Sequence, residues 1–371
     1  MNATIEAKKR LDALIGKSRA DLYKPIAVAE VLHRNRTEQL DISDLQAYRR
    51  KSYEWMRSII EVLHRKTTEL NSRYWDQLFD PEVLPPAFLA ELASVNNDNG
   101  IVECYIYSHV RAKFVSIATL CANLESLRTD NFSLESFLGF FEDNAKFRGS
   151  VDKAYEITVY ALFDSLVAEM NATVSLSIDT KALHILREFE DFSRLVLGCD
   201  LQHPVIKQPA RLFRVGTANA NDAGLDMWAN FGPAVQVKHL SLQPQAAVDI
   251  CNRVRADQLL IVCQSCEMEV IHSLMIQLGL GEKLRGIITE NDLKRWYGKC
   301  FLPQYKETLG ERIIAAIIQE MKLEYPLSDA ETFDGFFKDR GYDTIVLTND
   351  WKLEEKPKVR RLRKNGGTKP A

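Results

Sequence analysis

Three polar residues on two neighbouring β-like runs carry the chemistry that this sequence offers. In Leu225-Asp-Met-Trp-Ala-Asn-Phe231 a period of two sends Leu225, Met227, Ala229 and Phe231 to one face and Asp226 to the other. Across the Gly232-Pro233 turn, Val235-Gln-Val-Lys-His239 points Val235 and Val237 inward, so Gln236 and Lys238 project together on the opposite side. If the two strands pair, an acid, an amide and an amine meet at one place. That set suits phosphodiester hydrolysis, in which carboxylate oxygen holds a divalent cation beside the scissile phosphate and a cationic side chain positions the attacking water. Mg²⁺ is the expected metal, because it takes oxygen ligands and binds through one or two carboxylates together with phosphate. Asp226 would hold it, the side-chain carbonyl of Gln236 and the backbone carbonyl of Val237 would add ligands, and Lys238 would serve the water. Glu156 is a candidate second carboxylate, since it stands among apolar neighbours in Ala154-Tyr-Glu-Ile-Thr-Val-Tyr-Ala-Leu-Phe163 and an unpaired acid there is costly. A plainer use stays open. Asp, Gln and Lys on adjacent strands commonly form a solvated face, and Glu156 also fits the exposed stripe of its helix beside Asp152 and Lys153. His239 reads as a packing histidine.

Other chemistries find little support. Leu11-Asp-Ala-Leu-Ile-Gly-Lys-Ser18 approaches a phosphate loop, but Leu11 stands where the first glycine belongs and the segment reads as helix. Cys263-Gln-Ser-Cys266 is a single CxxC without a second ligand pair. The seven histidines form no HExxH, and no serine sits in a GxSxG turn.

The elements that must position these residues fall into two textures. Residues 1–150 read as a mainly helical domain, suited to clamping DNA or to dimerisation. There Trp55, Ile59, Val62 and Leu63 recur at helical spacing, as do Leu134, Phe137, Leu138 and Phe141 behind Ser133 as N-cap. Pro85-Pro86 and Asn96–Gly100 break it into pieces. Basic residues between Arg34 and Arg73, interleaved with Tyr48, Tyr53 and Trp55, fit solvated helix faces or a DNA-facing surface. Residues 151–345 alternate helices with short β-runs. A helix from Val151 to Met170 precedes the run Thr173–Ile178, and Asp179 caps a helix that stops at Gly198. A three-strand meander over 211–240 follows, then a helix near 245–255, the buried strand Leu259–Cys263, a helix through Leu278, the strand Arg285–Thr289 and a helix from Asn291. The fold class is therefore α/β, with a mixed sheet covered by helices.

Composition sets the frame. A 371-residue chain that is 46% hydrophobic and 27% charged has ample material for a core, and no apolar run approaches the length of a membrane-spanning helix. No export signal is visible, and seven scattered cysteines fit reduced thiols, so a cytoplasmic protein is expected. Net charge is only −3, yet Lys352–Ala371 carries eight Lys/Arg against Glu354 and Glu355. The tail, 346–371, is expected to be a solvated terminus or a phosphate-contacting arm.

The order Glu156, Asp226, Gln236-Val-Lys238 resembles the PD-(D/E)xK nuclease signature in its variant with an amide for the second acid. The longer phrase Arg214-Val-Gly-Thr-Ala-Asn-Ala-Asn-Asp-Ala-Gly-Leu-Asp-Met-Trp-Ala-Asn-Phe-Gly-Pro-Ala-Val-Gln-Val-Lys-His-Leu-Ser-Leu242 resembles the active-site block of the HaeII type II restriction endonuclease family. The likeness runs from about Leu11, through Gly16-Lys-Ser-Arg19 and Tyr23-Lys-Pro-Ile26, to about Tyr342, and omits the basic tail. It implies a PD-(D/E)xK-type sheet core flanked by helices, and a Mg²⁺-dependent endonuclease that cuts both strands of double-stranded DNA at a palindrome of the RGCGCY type. A palindrome favours a two-fold homodimer. On this reading Arg211, Arg214, Thr217, Asn219, Asn221 and Asp222 are expected DNA contacts, since arginines and amides pair with base edges. A repair or structure-specific nuclease of the same superfamily, or a non-catalytic DNA-binding protein with a degenerate core, are the alternatives. The amide at Gln236 motivates the latter.

Overall fold

The computed structural model describes residues 3–17, 22–63, 77–143, 147, 150–215, 225–325 and 330–353. Its contacts divide the chain into two compact units. One is formed by the described residues of Met1–Leu124, Leu138–Val151 and Glu324–Ala371, the other by those of Glu125–Phe137 and Asp152–Leu323.

The first unit is helical: α1 (Ala3–Lys17), α2 (Tyr23–Glu38), α3 (Lys51–Val62), α4 (Pro86–Asn96) and α5 (Ile101–Glu125). Apolar positions three and four apart meet in one core, where Leu11, Ile26, Leu32, Ile60, Val102 and Ile106 are fully buried. On α3 the buried stripe is Met56, Ile59, Ile60 and Leu63. Val62, expected to share it, is half exposed, because it falls outside the arc that the other four define. Tyr48 belongs to this core and packs edge-on against Phe79, so it forms no part of a DNA-facing surface. The helix Ala330–Asp339 returns to this unit, with Phe333 against Phe114 and Phe336 against Tyr107. Residues 324–325 and 330–353 thus join the amino-terminal helices, and 125–137 join the sheet-bearing unit. The helix α6 (Leu134–Asp143) opens where Ser133 Oγ accepts the Ser136 N–H, as its sequence suggests.

Two fully buried acids pin this unit. Glu103 accepts from Arg36 Nε (2.9 Å), Asn96 Nδ2 (2.6 Å) and Tyr342 Oη (2.7 Å), and His33 Nδ1 lies 3.0 Å away. Glu30 accepts from Arg34 (2.7 Å), Tyr107 (2.7 Å) and Arg340 (3.3 Å). Burial pushes the Glu103 carboxyl up, but the hydrogen bonds from His33, Arg36, Asn96 and Tyr342 outweigh it and hold it at about 2. Gly100, at φ 78°, makes the turn into α5 and leaves room for Arg36, whose guanidinium would sit 3.2 Å from a Cβ there.

After its stretch 125–137 the second unit continues with α7 (Val151–Glu169) from Asp152 onward. Then β1 (Thr173–Ser177) pairs antiparallel with β2 (Val205–Pro209) in a sheet of two strands. Between them Asp179 caps a helical turn, the helix Leu183–Glu188 follows, and the segment ends at Gly198 with φ 73°. The main sheet has the order β3 (Leu212–Arg214), β4 (Met227–Ala229), β5 (Pro233–Lys238), β6 (Gln258–Cys263) and β7 (Leu284–Thr289). The first three strands run antiparallel as a meander, whereas β5–β6 and β6–β7 are parallel. The parallel steps are bridged by α8 (Pro244–Arg253) and α9 (Met268–Gln277), and α10 (Glu290–Cys300) follows β7 behind a Thr289/Asp292 capping box. On one face Ala247, Ile250, Ile271 and Met275 of these helices pack on Leu259, Ile261 and Ile287. Tyr155 of α7 donates to the Cys263 carbonyl, and Tyr297 of α10 donates to the Thr158 carbonyl. Covered in this way, β6 is an almost unbroken apolar run, as a central parallel strand requires. The unit closes with α11 (Glu311–Glu324). The fold is mixed α/β, and no helix among the described residues is long and apolar enough to cross a membrane.

Candidate active site

Asp226 stands immediately before β4, where that strand's pairing with β5 ends. The Gly232 turn, at φ 119°, folds β4 back on β5 and brings residue 226 beside residue 236. The Asp226 N–H donates to the Val235 carbonyl (3.1 Å). Its Oδ2 accepts from Val237 N–H (2.7 Å) and from Gln236 Nε2 (2.5 Å). The carboxylate therefore replaces the backbone carbonyl that β4 no longer supplies, and lies alongside β5. Gln236 is buried, while Lys238, two residues on, is exposed. His239 packs its ring 4.8 Å from Tyr155.

Glu156 reaches this neighbourhood from α7, with its side chain only 6% exposed. Burial excludes the solvated-stripe reading. Lys153, one helical turn earlier, donates to Oε2 (2.5 Å), and Arg214 Nη1 donates to Oε1 (3.1 Å). Arg214 also donates through Nε to Glu320 of α11 (2.7 Å). Burial pushes the Asp226 carboxyl up. The Val237 N–H opposes this, the Glu156 charge adds to it, and Lys238 and Lys153 pull it down, with a net rise. Glu156 and Lys238 are thus each near enough to Asp226 to act on its charge, and Asp226, Gln236 and Val237 are in direct contact.

The donors fit a hard divalent cation in kind: two carboxylates, an amide carbonyl and a backbone carbonyl are all oxygen ligands. A carboxylate whose ionisation is opposed by burial and by a second acid is also one that a cation relieves. Among the described residues no three His, Cys, Asp or Glu gather as a metal cluster. A cation here would rest on Asp226 and Glu156 with neutral oxygens, and Glu156 would share its oxygens with Lys153 and Arg214.

The expected DNA contacts separate. Arg211 is exposed. The Arg214 side chain is 8% exposed and its guanidinium is bound between two acids, so it organises Glu156. Thr217, Asn219, Asn221 and Asp222 lie outside the described residues, as does the basic run 356–364. Sequence reasoning missed Lys153 and Glu320 as partners. The i,i+3 spacing of Lys153 and Glu156 was a usable signal. Glu320 had none, since it meets Arg214 only through packing of distant elements.

Comparison with known proteins decides the family. Residues 7–342 match the model of the HaeII restriction endonuclease family. The chain belongs to that family. It is 39% identical over 349 residues to the type II restriction enzyme HaeII of Haemophilus aegyptius, covering 93% of this chain and 99% of the relative. It is 39% identical over 344 residues to the type II restriction enzyme NgoBI of Neisseria gonorrhoeae, covering 92% and 97%. No solved structure is significantly similar. The family match contains Glu156 and the whole Asp226–Lys238 block, and it ends before the basic tail.

Proposed function

We propose that this restriction endonuclease hydrolyses phosphodiester bonds of double-stranded DNA at a palindrome of the RGCGCY type, using a PD-(D/E)xK-type site centred on Asp226. The observation that carries the reading is the half-buried Asp226 carboxylate, set against Gln236 and Val237 and within electrostatic reach of Glu156 and Lys238. Asp226, with Glu156, the Gln236 side-chain oxygen and the Val237 carbonyl, would hold Mg²⁺, which when bound polarises the phosphate and lowers the pKa of water. Lys238, exposed at the end of β5, orients the attacking water by hydrogen bonding. The water oxygen bonds to phosphorus as one ester P–O bond breaks, the water gives up a proton to the surrounding solvent, and the leaving sugar oxygen takes one up from solvent. Lys153 and Arg214 hold the Glu156 carboxylate in place. Arg211 contacts DNA, together with Thr217, Asn219, Asn221 and Asp222. A palindromic site calls for a homodimer, one half-site per subunit.

The test is digestion of a defined plasmid with Mg²⁺, followed by fragment-end sequencing. Wild type is expected to give discrete fragments ending in one palindrome. Asp226→Ala and Lys238→Ala are each expected to abolish cutting while retaining specific binding in a gel shift. Cutting at the wild-type rate by either variant removes the proposed site.

A further inference from the structure

Among the described residues of the second unit, the segment between β1 and β2 groups the most exposed large apolar side chains. Ile185, Phe189, Phe192, Leu195, Val196 and Leu197 are 51, 55, 54, 83, 63 and 37% exposed. Four of them, Ile185, Phe189, Phe192 and Leu197, line one open groove of about 450 Å³. Soluble chains seldom leave such residues grouped in water. The sheet at its base makes the same point independently. β1 and β2 form a two-stranded sheet with four of five residues exposed on each strand, including Leu176 and Val205. A two-stranded sheet is marginal in water unless something packs on it.

We infer that this surface, carried by β1, β2 and the helical segment between them, is the two-fold interface with a second copy of this chain. Two features select that occupant. Taking about 200 Å² for a large apolar residue, the six side chains expose about 600–700 Å², close to the ~800 Å² that each partner brings to a standard interface. Their charged neighbours are self-complementary, with Lys181, Arg187 and Arg194 balanced by Glu188, Glu190 and Asp191. An isologous contact needs both signs on one patch, whereas DNA or an anionic membrane would select a basic one. The inference rests on the two-fold reading above and adds the surface that makes the pair.

The experiment is light-scattering mass measurement on the full chain without DNA, at micromolar concentration. Wild type is expected at twice the 42.3 kDa chain mass. Phe192→Asp and Leu195→Asp are each expected to weaken the dimer by about 30-fold or more, the loss typical of a central interface residue. Ile276→Asp, at an equally exposed position on α9, is expected to leave it unchanged. Thermal melts matching wild type establish that the variants are folded, as the exposure of all three positions predicts. A wild-type mass of 42.3 kDa overturns both the surface and the two-fold reading. A wild-type dimer that the two Asp variants do not weaken, or that Ile276→Asp weakens equally, overturns this surface and leaves the two-fold reading standing.

Discussion

Replacing Gln236 by glutamate tests the proposed cation site without disturbing its shape. Gln236 is 2% exposed and donates its amide to Asp226 Oδ2 at 2.5 Å. Glutamate is nearly isosteric but has no N–H to give. Loss of a hydrogen bond to a charged acceptor costs about 2 kcal/mol. Two carboxylates at that separation cannot both ionise, so one retains a proton in the folded protein. Asp226 is already pushed up by burial and by Glu156. A raised folded-state pKa makes the penalty small below the ordinary carboxylate range, and the penalty grows with rising pH until the raised value is passed. At about 1.4 kcal/mol per pH unit, the added loss between pH 5 and pH 8 reaches up to about 4 kcal/mol. Mg²⁺ bridging the two acids would recover most of it. Urea denaturation at both pH values, with and without Mg²⁺, is the assay, and a plasmid digest should show half-maximal cutting at lower Mg²⁺ than wild type. A pH-independent difference from wild type, or a pH-dependent one that Mg²⁺ leaves untouched, would refute the assignment of a cation to this spot.

Two further outcomes follow from the buried ion pairs. Glu103, held at about 2, contributes roughly 3 kcal/mol that is complete above the ordinary carboxyl value near 4.5 and is lost as pH falls through about 2. Glu103→Gln should accordingly lower urea-denaturation stability by about that amount at pH 7 and hardly at all at pH 2; equal losses at the two pH values would contradict this. Arg214→Ala leaves Glu156 and Glu320 buried without a shared cation and should cost about 3 kcal/mol, with Lys153 limiting the damage at Glu156. The Arg214→Ala/Glu320→Ala double variant should lose less than the two single losses combined, and strict additivity would argue against the coupling.

What could be read in advance was local. The run Leu259-Leu-Ile-Val-Cys263, the Gly232-Pro233 turn and the helices between the later strands announce the mixed sheet, because each is specified by neighbours within a dozen residues. The Asp226–Gln236 contact was legible for the same reason, as a tight hairpin sets its own register. The strand Val205–Pro209 was not, since Lys207, Gln208 and Pro209 interrupt any alternation and its partner lies some thirty residues earlier. Arginine type and position suggested that Arg214 faces DNA, yet its destination depends on Glu156 and Glu320, which only tertiary packing brings together.

The donors on Glu103 and Glu30 are drawn from stretches of the chain more than two hundred residues apart. Tyr342 and Arg340 complete two clusters whose other members were all synthesised by residue 107. A ribosome delivering the chain amino end first therefore leaves both acids short of partners until residues 340 and 342 have been added. The helices α1 to α5 thus finish folding late, and a chain broken before residue 340 would leave this helical unit unable to lock.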